Sequence, residues 1–253
     1  MTQHPLDGVR AKIKRAKQHF DQLCADSAGI EDIAYSLRAE KDFESRVIRY
    51  FAIANDVRVP LLNFALLAGE CAYQLRSALD HAVFQLRKQP TDTKTQFPIF
   101  KTADGYKSRA PAMIQGVSIS ADAIIESLQP YHRGGAADEH PLWMLSDINN
   151  TDKHRIIPVC FIYANHIAVT QRPGERRLPM RFDTMRLGGI VKDGTKVCEI
   201  PMPHTEVDMK AEFKCSIAFE QIGGAKLQRI RPFLLKAMGE VSSIVELFSG
   251  EFV

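Results

Sequence analysis

An α+β fold is predicted for this chain by three observations. Apolar residues recur at three- and four-residue steps near both ends and through the middle, which marks helices. Late in the chain the period shortens to two, which marks strands, and an early pair of extended segments sits between helices. The expected architecture is a bundle of about four principal helices packed with an antiparallel β-sheet. The early hairpin, 34–54, is expected to join the late strands in one sheet. Because it interrupts the helices, residues 1–253 are expected to form a single domain. Its helical part covers approximately 1–155 plus 225–253, and its β-rich part approximately 156–222.

From Pro5 to Leu23, Leu6, Val9, Ile13, Ala16, Phe20 and Leu23 form one apolar stripe of an amphipathic helix with a basic opposite face. Ala34, Ser36 and Arg38, then Val47, Arg49, Phe51 and Ile53, suit two strands joined around Asp42. Pro60 fits a first helical turn, and Leu61–Lys88 then holds no further proline and one glycine, Gly69. Its apolar surface is too broad for an exterior helix, so it should be central and largely buried. Pro90 and TDTKT end it, and Phe97–Phe100, FPIF, reads as extended. Lys101–Pro111 gives no clear pattern and is expected to be a loop with a short helix. Ser120 is placed as the N-cap of a helix over Ala121–Leu128, and 129–139 as a polar, glycine-bearing loop. Pro141–Asp152 is expected to be helical. Ile156–Thr170, Met180–Lys192, Thr195–Met202 and Met209–Phe219 are strand-like, with turns at RPGE, KDG and PMPH. Gly223 and Gly224 precede a last amphipathic helix, Leu227–Phe248.

With 45% hydrophobic and 25% charged residues in 253, the chain can bury a sizeable core. The weakly charged stretch Val59–Leu75 contains Glu70 and is too short to span a bilayer, and the N-terminus lacks a signal-peptide layout. A cytoplasmic protein without membrane association is expected. Cys24, Cys71, Cys160, Cys198 and Cys215 are odd in number and contain no CxxC, which argues for buried thiols rather than disulfides or a cysteine zinc site. A net charge of +3 is only mildly basic. Basic residues do cluster locally, at Lys12, Lys14, Arg15 and Lys17 and at Arg172, Arg176 and Arg177, and such clusters suit solvated faces or a phosphate-bearing partner.

The chemistry-bearing stretch is Leu75–His81, LRSALDH. Arg76 offers a permanent planar fork of donors that matches a phosphate, and His81 is the residue type suited to proton transfer near neutrality. Five positions apart on a straight helix, they point roughly 140° from one another. A bend or a second subunit would be needed to bring them together. Arg76 with Asp80 and Ser77 with His81 stand at i,i+4, where a salt bridge and a hydroxyl–imidazole hydrogen bond can form. The plain alternative is a helix ion pair and a partly buried histidine.

This arrangement resembles the HEPN superfamily, the higher-eukaryote and prokaryote nucleotide-binding helical domains, whose signature is an arginine followed after four to six residues by a histidine late in a bundle helix. The resemblance implies a metal-independent endoribonuclease without a cofactor, working as a homodimer with a composite site. By analogy it also implies a stress, toxin or phage-defence role. Carried onto this sequence, Arg76 would bind the scissile phosphate and His81 would move a proton during attack by the RNA 2′-hydroxyl, with Ser77 and Asp80 in support. The residue after the arginine is often asparagine in that superfamily; here it is Ser77. Other HEPN-like proteins are non-catalytic, so a dimeric module binding a nucleotide, another ligand or a protein is the alternative. The wider pattern GE-x4-LRSALDH, FPIF, LQPY, HPLW and NNTDKHR, over residues 69 to 155, is also similar to a group of uncharacterised bacterial proteins.

A second constellation, Asn149–Arg155 (NNTDKHR), lies where a helix meets the first late strand. Asp152 or Asn150 could cap and Lys153 could complement the helix dipole. The functional alternative makes Lys153, His154 and Arg155 an anion-binding wall beside Arg76. No HxH, HExxH or EF-loop spacing supports a metal, and GxGxxG, Walker and GxSxG motifs are absent. The loop Gln129–Gly135 could cradle an anion through backbone amides, though such loops are more often turns.

Overall fold

The computed structural model describes residues 4–30, 35–42, 47–87, 95–171, 189–203 and 209–252. The fold is α+β. Its chain divides into two compact units, one made of Met1–Asp26, Leu62–Pro158 and Phe219–Val253, the other of Ser27–Leu61 and Val159–Ala218.

The first unit is mainly helical, and among the described residues its β-structure lies only within 219–229. Helix α1 (Asp7–Ser27) and helix α2 (Leu61–Leu86) match the stripes read from the sequence. Leu6, Val9, Ala16 and Leu23 are buried, as are Phe64, Ala68, Cys71, Ala72, Leu75, Ala78, Leu79, Ala82 and Val83 along α2. The expectation that α2 is central and largely buried holds in part: one side of it is open. Leu62, Leu66, Tyr73 and Phe84 are 56%, 50%, 51% and 38% exposed, and at 100° per residue all four fall within one narrow arc of the helix. Helix α3 (Ala103–Met113) fills most of the stretch expected to be a loop with a short helix: Thr102 caps it by accepting from the Gly105 N–H at 3.2 Å, and Pro111 stands inside it. Helix α4 (Ile119–Ser127) starts earlier than expected. Its N-cap is Ser118, not Ser120, and accepts from the Ala121 N–H at 3.0 Å. The expected loop at 129–139 is a run of 3-10 turns, Pro130–Glu139, kinked at Gly134. Helix α5 spans Pro141–His154.

Close approach explains the single glycine of α2. A β-carbon at Gly69 would overlap the Asp152 carboxylate of α5, so glycine lets the two helices touch there. At Gly8 of α1 a β-carbon would lie 2.7 Å from Cε1 of His81. The Asn63 amide donates to Asp26 at 2.8 Å, and His19 pairs with Glu70 at 2.9 Å, so α1 and α2 also meet through polar groups.

In the second unit, strands β1 (Tyr35–Asp42) and β2 (Val47–Ala54) form the expected antiparallel hairpin, with Tyr35 opposite Ala54 and Asp42 opposite Val47. β3 (Val159–Gln171) and β4 (Lys196–Pro203) also belong to this unit, β5 (Met209–Ile222) belongs to it as far as Ala218, and β6 (Ala225–Arg229) belongs to the first. One sheet was expected, but the described strands form two. β1-β2-β4 is one, with β2 and β4 antiparallel, and β3-β5-β6 is the other. The hairpin thus reaches one late strand rather than all of them. In the expected strand Met180–Lys192, the described part makes one isolated bridge, Ile190 to Ile162. The rest of that strand, the RPGE turn and Arg172, Arg176 and Arg177 lie outside the described residues.

Gly223 and Gly224 form the tight turn between β5 and β6 instead of leading into a helix. The last helix, α6, therefore begins at Ile230 rather than Leu227 and ends at Leu247. Cys71, Cys160 and Cys215 are buried, and burial pushes the Cys71 thiol up to about 12.

Candidate functional site

Within the helical unit, Arg76 and Asp80 of α2 hold the extended segment 96–100 by its backbone. Nη2 of Arg76 donates to the Phe97 carbonyl at 2.7 Å and pairs with Oδ1 of Asp80 at 2.9 Å. The same carboxylate oxygen accepts from the Phe97 N–H at 2.8 Å. Gln129, 1% exposed, holds the other end of the segment. Its Oε1 accepts from the Phe100 N–H at 3.1 Å, and its Nε2 donates to the carbonyls of Pro98 at 2.8 Å and Ile125 at 2.9 Å. Side chains thus supply backbone partners that a neighbouring strand would otherwise give.

Beyond this latch opens a cleft of about 470 Å³. Arg76 and Asp80 line it together with Gln96, Ile99 and Phe100 of the held segment, Arg109 and Met113 of α3, and Ser146, Asn149, Asn150 and Lys153 of α5. Arg76 is 8% exposed, and its Nη1 is buried without a hydrogen-bond partner. The Arg109 guanidinium lies 4.6 Å over the Phe100 ring. Burial lowers the Arg76 pKa, opposed by Asp80. Burial likewise raises that of Asp80, opposed by Arg76, by the Phe97 N–H and by Lys153. Both partners thus feel desolvation, and each limits it for the other. Arginine stays charged under such a shift, so its orphaned N–H groups favour an acceptor.

His81 does not join this cleft. It packs against Gly8 of α1, and the Gln85 amide donates to its Nε2 at 3.0 Å. Its Nδ1 is buried and unpartnered, and burial followed by Lys12 lowers its pKa. The expected Ser77–His81 hydrogen bond is not formed: the Gln85 amide, equally four residues from His81, takes Nε2, and Nδ1 stays without a partner. α2 runs as one helix through both positions, and Arg76 and His81 of one chain remain on different sides of it.

Of the proposed anion-binding wall, Lys153 lines the cleft, whereas His154 and Arg155 are exposed and lie outside its lining. The Arg155 N–H closes the helix end on the Thr151 carbonyl at 2.9 Å. Sequence reasoning missed Arg109, Gln96 and Ser146. Arg109 could have been found through the Thr102 cap, which starts α3 before the proline obscures its pattern.

His140 is structural as well. It is 6% exposed and caps α5, its Nδ1 accepting from the Leu142 N–H at 3.1 Å, with Pro141 in the first turn. Burial, Arg133 and Lys236 lower its pKa to about 4. Among the described residues no group of three or more His, Cys, Asp and Glu side chains is placed to hold a metal. No helix among them is long and apolar enough to cross a membrane.

Compared with models of protein families, with curated proteins and with solved structures, the chain matches none.

Proposed function

We propose that the helical unit is a HEPN-like RNA-binding module whose phosphate clamp is Arg76 together with Arg109 and Lys153. The observation that carries this reading is the orphaned Nη1 of a buried arginine on a cleft with two further cations. A phosphate oxygen is the acceptor that a guanidinium donor fits, and the surrounding cations strengthen the attraction at low salt. The test is fluorescence anisotropy with single-stranded RNA. The Arg109→Ala/Lys153→Ala double variant should bind about tenfold more weakly, with a shallower salt dependence. Unchanged affinity in that variant removes the cleft from RNA binding.

The second reading is a metal-independent endoribonuclease, in which a second copy supplies the histidine. The exposed apolar stripe of α2 favours it: Leu62, Leu66, Tyr73 and Phe84 run along the helix between the angular positions of Arg76 and His81. A homodimer seated there would set each Arg76 near the partner copy's motif helix. RNA cleavage should then persist in EDTA and disappear in Arg76→Ala and in His81→Ala proteins that remain folded. Cleavage that survives either substitution rules this reading out, and a monomer at micromolar concentration argues equally against it.

A further inference from the structure

Resting on the RNA-binding reading above, we propose that the cleft is built for a terminal phosphate monoester, the phosphorylated end of an RNA strand, rather than for an internal phosphodiester. Charge matching favours the monoester. Arg76 and Asp80 are paired at 2.9 Å and cancel as charges, although Nη1 of Arg76 is left as a buried donor. Arg109 and Lys153 remain on the lining. Arg109 lies on the Phe100 ring rather than on a carboxylate, and among the described residues neither cation forms a salt bridge. The lining residues Arg76, Arg109 and Lys153 against Asp80 therefore carry a net charge of two positive, and the buried arginine keeps one donor without a partner. A phosphate monoester carries close to two negative charges at neutral pH, with three terminal oxygens able to accept. An internal diester carries one charge and offers two such oxygens, so it would leave one cation unmatched.

Arg76 neutralises the Asp80 carboxylate through their pairing at 2.9 Å, which leaves Arg109 and Lys153 to set the charge that an entering anion meets. Gln96, Asn149, Asn150 and Ser146 line the same cleft and carry amide and hydroxyl donors of the kind that phosphate and ribose oxygens accept from.

The experiment is calorimetric titration of the full chain with one single-stranded RNA oligonucleotide in two forms, bearing a 5′-phosphate or a 5′-hydroxyl, and with the matching pair at the 3′ end. One terminally phosphorylated form should bind about tenfold more tightly than its hydroxyl counterpart, the loss of one matched charge contact. That ratio should fall toward one in Arg109→Ala and in Lys153→Ala, both exposed positions whose folding is checked by thermal unfolding. Equal affinities for phosphorylated and hydroxyl ends overturn the inference while leaving RNA binding at the cleft intact. A preference that persists in both variants overturns it too, since the end would then be read elsewhere. If no form binds, the RNA-binding reading itself fails.

Discussion

The two ends of LRSALDH sit in opposite circumstances on one helix. At the Arg76 end, a charged pair is committed to backbone: Phe97 is held by both its N–H and its carbonyl, and one guanidinium nitrogen is left over beside a cleft. At the His81 end, the imidazole meets Gly8 of α1 and one amide, and its second nitrogen has no partner. A residue pattern that suggests one catalytic pair therefore serves two different contacts. The difference teaches that an arginine can be structural and ligand-ready at once, because a guanidinium has more donors than a latch consumes. A histidine has only two nitrogens, and here neither is directed at the cleft.

That contrast is open to a direct stability comparison. Asp80→Ala leaves a buried guanidinium without its counter-charge and the Phe97 N–H without its acceptor. The expected cost is about 3 kcal/mol, at the low end for a broken buried pair because the Asp80 side chain keeps 32% of its surface. His81→Ala removes one neutral hydrogen bond and some packing, at an expected cost of about 1 kcal/mol. Urea unfolding of the two variants measures the gap. Equal losses would dissolve the contrast between the two ends.

His140 provides the next effect, at the far end of the residue 69–155 pattern. Its folded pKa is lowered to about 4 against an ordinary value of 6.5, so the fold favours the neutral ring. Stability from this group is therefore complete above about pH 6.5 and is lost as pH falls toward 4, up to about 3 kcal/mol. Protonation places a hydrogen on the nitrogen that caps α5, which ends the acceptance from Leu142. His140→Asn keeps a capping oxygen and should flatten the acid limb between those values while preserving stability at neutral pH. An acid limb that is the same in both proteins would assign the sensitivity to another group.

How far these features could be read from sequence depends on the distance in the chain between partners. The Arg76–Asp80 pair was legible because i,i+4 geometry is local. Its attachment to Phe97, 21 and 17 residues away from the two side chains, was not, although FPIF and LQPY were both visible as patterns. Where two local partners competed, as Ser77 and Gln85 do for His81, spacing alone could not choose between them. Strand order was not legible for the same reason: β2 pairs with β4 across a long stretch of chain, and alternation within a strand does not name its neighbour. α3 was legible only as a short helix without bounds, because Pro111 breaks its pattern, and Arg109, which lines the cleft, was not singled out.

The smallest effect discriminates most finely between the latch and the cleft. Lys153 is exposed at the end of α5, and no backbone group depends on its head. Lys153→Ala should change the unfolding free energy by no more than about 0.5 kcal/mol. Arg109→Ala loses its stacking on Phe100 as well, which adds about 0.5–1 kcal/mol. If these cations serve a ligand, their removal should weaken anion binding far more than it weakens the fold, the reverse of the result for Asp80→Ala. Thermal unfolding of both variants beside RNA binding decides it. A loss of stability as large as that of Asp80→Ala would mean that Arg109 and Lys153 belong to the latch, and that the cleft is packing left incomplete rather than a place made for an anion.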